Sequence, residues 1–197
     1  HVTQVNATQV WEQGYTGKNV VVAILDSGIN DEHYDLKDHL WQGYADTDGD
    51  GEADDIIHGW NFATKEAAGN SNIKDDYGHG THCAGIICAD GTMGNVAGVA
   101  PDATLMTLKT VNKTGSGSPA QMIKGVQFAI ENGASIISIG ICAVMSLSLE
   151  DFLSFFGATG ITAAPPLFFL NITYSPLLIY ILQSYVEFRG QQSLTTL

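Results

Sequence analysis

Hydrophobic residues in the first 140 positions fall into short runs separated by polar, glycine-rich stretches. The runs at 20–29 (VVVAILDSGI) and 135–141 (SIISIGI) are apolar without alternation, which is typical of strands covered on both faces. A third run, at 96–111, begins with a turn at Pro101 and continues as a predicted strand. A shorter strand is predicted at 55–62 (DIIHGWNF). These runs indicate the strands of one buried sheet.

Two helices are predicted between these strands. Residues 79–89 (HGTHCAGIICA) form an apolar run that begins after glycine, and residues 120–134 (AQMIKGVQFAIENGA) have an amphipathic pattern that ends at Gly133. Strand, helix, strand, helix, strand is the order of an α/β fold. The pattern predicts a parallel sheet with helices on both faces and right-handed crossovers.

The character of the chain changes after residue 141. Residues 152–186 contain no charged side chain, and no helical or strand period runs through them. We interpret residues 1–140 as the front half of a truncated domain and residues 141–197 as an atypical uncharged tail, foreign or out of frame. A transmembrane segment is the alternative that its length allows, but prolines interrupt it, so we expect no membrane partner. The interrupting residues are Pro165, Pro166, Asn171 and Pro176.

Composition restricts the partners of the chain. Its 197 residues suffice for one domain, and 21 acidic against eight basic residues give a formal net charge of −13. Nucleic acid needs Lys and Arg to neutralise its phosphates, so we expect no nucleic-acid partner. The number of cysteines is odd, which rules out a fully paired intrachain disulfide framework; they are Cys83, Cys88 and Cys142. We expect Cys83 and Cys88 to be small core residues.

Asp26 and His79 are the first candidates for catalysis. Asp26 ends a predicted strand and His79 begins a predicted helix, so both belong at the edge of a parallel sheet where ligands collect. A carboxylate that accepts the Nδ1 hydrogen of an imidazole holds it in the tautomer that a general base needs. We expect Ser27 to donate its hydroxyl to Asp26. Gly78 and Gly80 should let backbone approach the imidazole closely.

His82 offers a different interpretation of this segment. Two histidines three residues apart can form a metal pair on one helix face, but no third ligand has a recognisable spacing and the HExxH glutamate is missing. We therefore expect His82 to be a hydrogen-bonded core histidine rather than a ligand.

The motifs VVVAILDSGI and GHGTHCAGII, together with GVAPDATLMTLK, are similar to those of the subtilisin-like serine proteases, the subtilase family. The resemblance covers about residues 3–140. It implies a serine endopeptidase in which Asp26 orients the base, His79 is the base and His82 is structural. It also implies a secreted protein with polypeptide substrates and a pro-segment upstream of His1.

The same resemblance suggests substrate-binding residues on two segments. The GSGS loop, around Ser116 and Gly117, is similar to the edge strand that pairs with a substrate backbone. The strand around Ser138 and Gly140 is similar to the opposite wall of the pocket for the residue before the cleaved bond.

The chain departs from the family where the nucleophile is expected. No Gly-Thr-Ser-Met-Ala string occurs, and only 118 residues follow His79. The nearest segment, GITAAPP, contains Thr162 but no serine, and it lies too close to His79 in the sequence. Cys142 stands where the family has glycine. Triad members act as a unit, so a missing serine removes most of the activity. The alternative function is therefore a non-catalytic truncated fragment or a pseudoprotease.

Residues 46–55 (DTDGDGEADD), here called the acidic loop, predict a structural calcium site. Acids at alternate positions with a glycine after the third resemble the first half of a calcium-binding loop, although an EF-hand would need Glu where Ile57 stands. The alternative is a solvated acidic loop. The candidate ligands are Asp46, Asp48, Asp50 and Glu52. Asp35 matches a second family calcium position, which the loop near Asn95 would have to complete.

Overall fold

The computed structural model describes residues 2–92 and 96–140 and the backbone of residues 167–170. The predictions that concern Asn95, Cys142 and Thr162 lie outside the described residues. The same holds for the predicted tail, apart from the strand at 167–170. The division of the chain at residue 140 therefore stays a prediction.

The described residues form three α-helices, one 3-10 turn and seven strands. The helices are α1 (Ala7–Trp11), α2 (His79–Cys88) and α3 (Pro119–Glu131), and the 3-10 turn is Lys37–His39. The strands are β1 (Val21–Asp26), β2 (Gly43–Ala45), β3 (Asp55–Ile57), β4 (Gly59–Asn61), β5 (Thr104–Lys109), β6 (Ile136–Ile139) and β7 (Leu167–Leu170).

The main sheet has the strand order β4-β5-β1-β6-β7. β1 pairs in parallel with β5 on one side and β6 on the other, and β4 pairs in parallel with β5. The register places Asp26 opposite Lys109, so the carboxyl ends of the two central strands lie side by side. The predicted parallel α/β sheet is confirmed.

Helices cover the two faces of β1, as predicted. Successive side chains of a strand point to opposite faces. Ile24 belongs to a core cluster with Ala84 of α2, whereas the side chain of Leu25 packs against Gly125 of α3. Because both faces are covered, five of the six residues of β1 are buried, and its sequence is apolar without alternation.

The segment 55–62, predicted as one strand, forms two. β3 pairs antiparallel with β2 in a two-stranded ribbon, whereas β4 joins the main sheet. The break falls at His58 and Gly59. His58 Nδ1 lies 2.8 Å from the carbonyl oxygen of Trp41, and Gly59 approaches the Thr107 carbonyl too closely for any side chain. The acidic loop connects the two strands of the ribbon.

α3 begins one residue earlier than predicted because the chain caps it. The Ser118 hydroxyl accepts from the Gln121 N–H while the Gln121 side chain accepts from the Ser118 N–H, and Pro119 takes the first helical position. Gly133, at φ +78°, follows the end of the helix. In the described part of the chain, no helix has the length and apolar character needed to span a membrane.

Candidate active site

The carboxylate of Asp26 contacts the imidazole of His79, as the sequence predicts. His79 Nδ1 lies 2.8 Å from Oδ2 and 2.9 Å from Oδ1 of Asp26, across 53 residues of sequence. The first turn of α2 reaches the end of β1 because Gly80 packs on the carbonyl of Gly28, where a side chain would not fit. With its proton on Nδ1, the imidazole donates to Asp26 and keeps a lone pair on Nε2.

Asp26 is enclosed, whereas His79 is open to solvent. The Asp26 residue is 2% exposed and the His79 side chain 48%. The Ser27 N–H donates to Asp26 Oδ1 at 2.7 Å, so the carboxylate is held from the backbone side as well. Gly140 covers the other side, so close to Asp26 Oδ2 that a Cβ at this position would collide with it. A general base requires this arrangement, in which a fixed carboxylate holds one ring nitrogen and the solvent-exposed imidazole can accept a proton at the other.

The prediction for the Ser27 hydroxyl is wrong. Its Oγ donates to Asp75 Oδ1 at 2.8 Å and accepts from the Gly80 N–H at 2.9 Å, so it does not donate to Asp26. The reason is the position of α2, whose first turn brings Asp75 and Gly80 to the fully buried side chain of Ser27. Ser27 supports Asp26 through its backbone N–H and joins the strand to the start of the helix through its side chain.

Asp75 is a second, strongly bonded carboxylate in this site. Burial raises its pKa, but hydrogen bonds from Thr81 and the Gly78 N–H outweigh that effect, together with the bond from Ser27. The pKa of Asp75 therefore falls to about 2. The shortest of these bonds joins Thr81 Oγ1 to Asp75 Oδ2 at 2.6 Å. A negative charge here also suits the amino end of α2, where unpaired N–H groups point.

His82 is exposed, which contradicts the prediction of a core histidine. In the helix, Ala84 and Cys88 face the core, and His82 lies outside that stripe. Gly78 supports His79 through its conformation, at φ +97°, rather than by close approach, since no atom outside its immediate neighbours lies within 4 Å of a Cβ built there.

Cys83 belongs to this site, whereas Cys88 is a core residue as predicted. Cys83 Sγ lies 3.7 Å from Nδ1 and 3.9 Å from Nε2 of His79, one helical turn away. Burial raises the pKa of the Cys83 thiol to about 11, helped by the charge of Asp26, a hydrogen bond to it and the charge of Asp75. Asp26, His79, Cys83, Asp75 and Ser27 are called the edge site below.

Sequence reasoning missed two members of the edge site, Asp75 and Cys83. Both had signals. Asp75 precedes a predicted helix by four residues, where an acid caps free N–H groups, and Thr81 follows at a spacing that lets its hydroxyl reach back. Cys83 is four residues after His79, which places the two side chains on one helix face.

Of the predicted substrate-binding residues, the structure places only Gly140 in direct contact with the edge site. Ser116 and Gly117 lie in the exposed loop before α3, where Asn112 Oδ1 accepts from the Ser116 N–H at 3.2 Å. Ser138 pairs with Ile24 inside the sheet. Gly140 lies directly against Asp26 and His79.

The acidic loop brings three of its four predicted ligands together. Carboxylate oxygens of Asp46, Asp48 and Asp50 lie within 4.8 Å of one another, and this group does not include Glu52. The loop is shaped by short-range bonds, such as those from the Gly49 and Gly51 N–H groups to Asp46.

Two further acids, Asp55 at the end of this loop and Asp35, have partners of their own. Thr47 donates through its hydroxyl and its N–H to Asp55, which lowers the pKa of that carboxyl. Asp35, at the second calcium position predicted from the sequence, is buried and accepts from the Thr92 hydroxyl at 2.8 Å.

Comparison with known proteins agrees with this geometry. The family model for the subtilases matches residues 17–151. The major intracellular serine protease of Bacillus subtilis is 37% identical over 138 residues, which are 70% of this chain and 38% of that protein. The minor extracellular protease Vpr of the same organism is 35% identical over 70% of this chain and 16% of its own length. Subtilisin E, also from Bacillus subtilis, is 34% identical over 71% of this chain and 31% of its own.

The chain spans less than two fifths of the length of each of these three relatives. Their names include an intracellular and an extracellular protease, so likeness to them does not fix a location. The family match covers more than half of the chain and contains both Asp26 and His79. The chain therefore belongs to the subtilase family of serine peptidases.

Proposed function

We propose that this chain carries the aspartate and histidine of a serine-type endopeptidase, with Asp26 as the orienting group and His79 as the general base. The observation that supports the proposal most is the 2.8 Å contact between His79 Nδ1 and the buried Asp26 carboxylate. Membership of a family of hydrolases supports it independently.

The chemistry follows from the two ring nitrogens. Nε2 accepts the proton of a serine hydroxyl as its oxygen attacks the peptide carbonyl, and Asp26 stabilises the imidazolium that forms. The same proton then passes to the leaving amine, and water repeats the sequence on the acyl-enzyme. Half of the His79 side chain is exposed, so the imidazole is open to a substrate.

Cys83 is a poor substitute for the serine. A thiol nucleophile reacts as the thiolate and needs a lowered pKa. Burial and the nearby carboxylates instead raise the pKa of Cys83 to about 11. The proposed reaction therefore requires a serine hydroxyl, and the sequence holds no Gly-Thr-Ser-Met-Ala string to identify it.

The missing motif favours a second candidate function, that of a pseudoprotease that binds peptide without cleaving it. In that case the exposed loop at Ser116 and Gly117 would pair with an extended peptide backbone by adding a strand. Ser138 and Gly140 would form the facing wall.

A fluorophosphonate probe distinguishes the two functions. It reacts covalently with a serine that a histidine activates, so intact mass measurement of the whole chain should show one adduct if the chain is a peptidase. His79→Ala should abolish the adduct, and His82→Ala, which alters an exposed histidine of the same helix, should not. The absence of labelling, together with binding of a peptide that carries no electrophilic group, would favour the second function.

Polypeptide substrates and location outside the cell are part of the same proposal, as is a pro-segment preceding His1. They rest on the family and on the extracellular relatives alone. Mass spectrometry of the chain isolated from its source would test both the pro-segment and the location, through its N-terminus and through the fraction in which it is found.

Calcium is the cofactor we propose for the acidic loop. Asp46, Asp48 and Asp50 supply hard carboxylate oxygens within 4.8 Å of one another, the ligand type that calcium prefers. A divalent ion there would offset two of the three negative charges and hold the loop against the ribbon of β2 and β3. It would act on stability and not in the proposed reaction.

A further inference from the structure

A pocket of about 380 Å³ is lined mostly by polar residues, among them Asp76, which follows Asp75 of the edge site in the sequence. Four separate segments line it: the end of β4 with the residues after it, the stretch from Asn70 to Asp76, the end of β5 and the start of the loop before α3. The proposed peptidase reaction uses none of its side chains.

Positive charge is concentrated in this pocket. The chain has seven lysines, and three of them, Lys74, Lys109 and Lys113, line the pocket. Among the described residues that line the pocket, Asp76 is the one carboxylate. The pocket therefore carries a formal charge of about +2 on a protein whose net charge is −13.

Lys109 is the buried lysine of the pocket, and two acceptors hold its ammonium group. It is 5% exposed, and its Nζ donates to the Lys74 carbonyl at 2.6 Å and to Asp76 Oδ1 at 2.7 Å. An ammonium group has three N–H donors, so these two bonds leave one donor for a ligand.

The asparagines add further donors. In Asn61, Asn72 and Asn112 the amide oxygen accepts from the backbone N–H two residues further on, which leaves the NH₂ group of each side chain free to donate. Asn61 is only 8% exposed, and no described residue accepts from its NH₂ group. The fourth asparagine of the lining, Asn70, donates to Glu66.

We propose that this pocket binds a doubly charged tetrahedral oxyanion of the phosphate class. Ammonium and amide donors from four segments surround one space, and a phosphate presents acceptor oxygens in as many directions. A carboxylate has two oxygens in one plane and would satisfy fewer of them. The site does not depend on the proposed peptidase function, because binding requires neither His79 nor a serine.

Equilibrium dialysis of the whole chain against radiolabelled inorganic phosphate, without calcium, tests the proposal. We expect one phosphate per chain, with affinity about fivefold weaker in Lys113→Ala and in Lys74→Ala. Lys74→Ala leaves the backbone carbonyl that holds Lys109 in place. Lys18→Ala, which removes an exposed lysine outside the pocket, is the matched control and should bind as the parent does.

Asp76→Asn should raise the affinity for phosphate, whereas the lysine variants lower it. It removes the competing carboxylate but keeps an oxygen that can accept from Lys109, so phosphate should bind more tightly. No measurable binding, or binding that the Lys74 and Lys113 variants do not weaken, would overturn the proposal. Glutarate that competes better than sulfate would overturn the assignment to the phosphate class.

Discussion

The edge site and the acidic loop both concentrate carboxylates, but they hold them by different kinds of contact. In the edge site two of the bonds join partners that are far apart in sequence: Asp26 and His79 by 53 residues, Ser27 and Asp75 by 48. In the acidic loop, Asp46 accepts from N–H groups only three and five residues away.

This difference decides what each region requires. Long-range partners exist only when the sheet and α2 have formed, so the edge site depends on the fold, and hydrogen-bond donors from distant residues contact its carboxylates. Short-range partners shape the acidic loop locally but leave the charges of Asp46, Asp48 and Asp50 close together and exposed. The loop therefore has most to gain from a cation.

The largest effect should come from Gly140→Val, which attacks the long-range contact. The new side chain would collide with Asp26 Oδ2 and displace it from His79. We expect the free energy of unfolding to fall by about 3 kcal/mol and the hydrogen-bonded His79 Nδ1–H signal to disappear from the proton NMR spectrum.

Gly85→Ala is the matched control for that variant. Gly85 lies in α2, and no atom surrounds the position that its Cβ would take. Alanine favours helix over glycine by about 1 kcal/mol, so stability should be unchanged or higher. Equal stability of the Gly140→Val and Gly85→Ala variants would show that position 140 does not constrain the edge site.

The alkylation rate of the Cys83 thiol should depend on the negative charge of the edge site. Its pKa is raised to about 11 from the ordinary value of 9.0, so its thiolate fraction at pH 8 is about a hundredfold below that of an unperturbed thiol. Alkylation by iodoacetamide, followed at Cys83 by peptide mass mapping, should be slower by at least that factor and should accelerate with each unit of pH.

Asp26→Asn should accelerate that alkylation, because the Asp26 charge helps to raise the pKa of the thiol. Asp48→Asn, in the acidic loop, removes the same charge elsewhere and should leave the rate unchanged. If both variants behave alike, the charge of Asp26 does not contribute to the raised pKa of the thiol.

Calcium should stabilise the folded chain through the acidic loop and not through the edge site. At a free concentration ten times its dissociation constant, an ion bound only to the folded state adds about 1.4 kcal/mol to the free energy of unfolding. Asp48→Asn should abolish this gain, measured by denaturant unfolding with and without calcium. Glu52→Gln should keep it, because the three grouped carboxylates do not include Glu52; loss in both variants would restore the four-ligand prediction.

The contrast between the regions also explains which features the sequence could predict. β1 and α2 follow from local patterns, an unbroken apolar run and a glycine-led helix start, so the meeting of Asp26 and His79 was predictable from the order of elements. The partner of the Ser27 hydroxyl was not, because it depends on the position of α2 relative to β1 in three dimensions. The division of 55–62 into β3 and β4 likewise depends on the Thr107 carbonyl, which is distant from Gly59 in sequence.

The smallest effect concerns the pH dependence that Asp75 gives to the edge site. Its pKa is about 2 in the folded chain, against an ordinary value of 3.8 for the unfolded chain, so the folded state binds fewer protons there than the unfolded state. The stabilisation is therefore complete above pH 3.8 and is lost as the pH falls towards 2.

Because Asp75 is only partly buried, solvent screening limits its contribution to about 1 kcal/mol. Asp75→Asn should lower the free energy of unfolding by that amount at about pH 6 and by much less at about pH 2.5, as measured by urea unfolding. Asp38→Asn, at an exposed acid far from these bonds, should show no such dependence. A difference for Asp75→Asn that is the same at both pH values would mean that its hydrogen bonds do not depend on the ionised carboxylate.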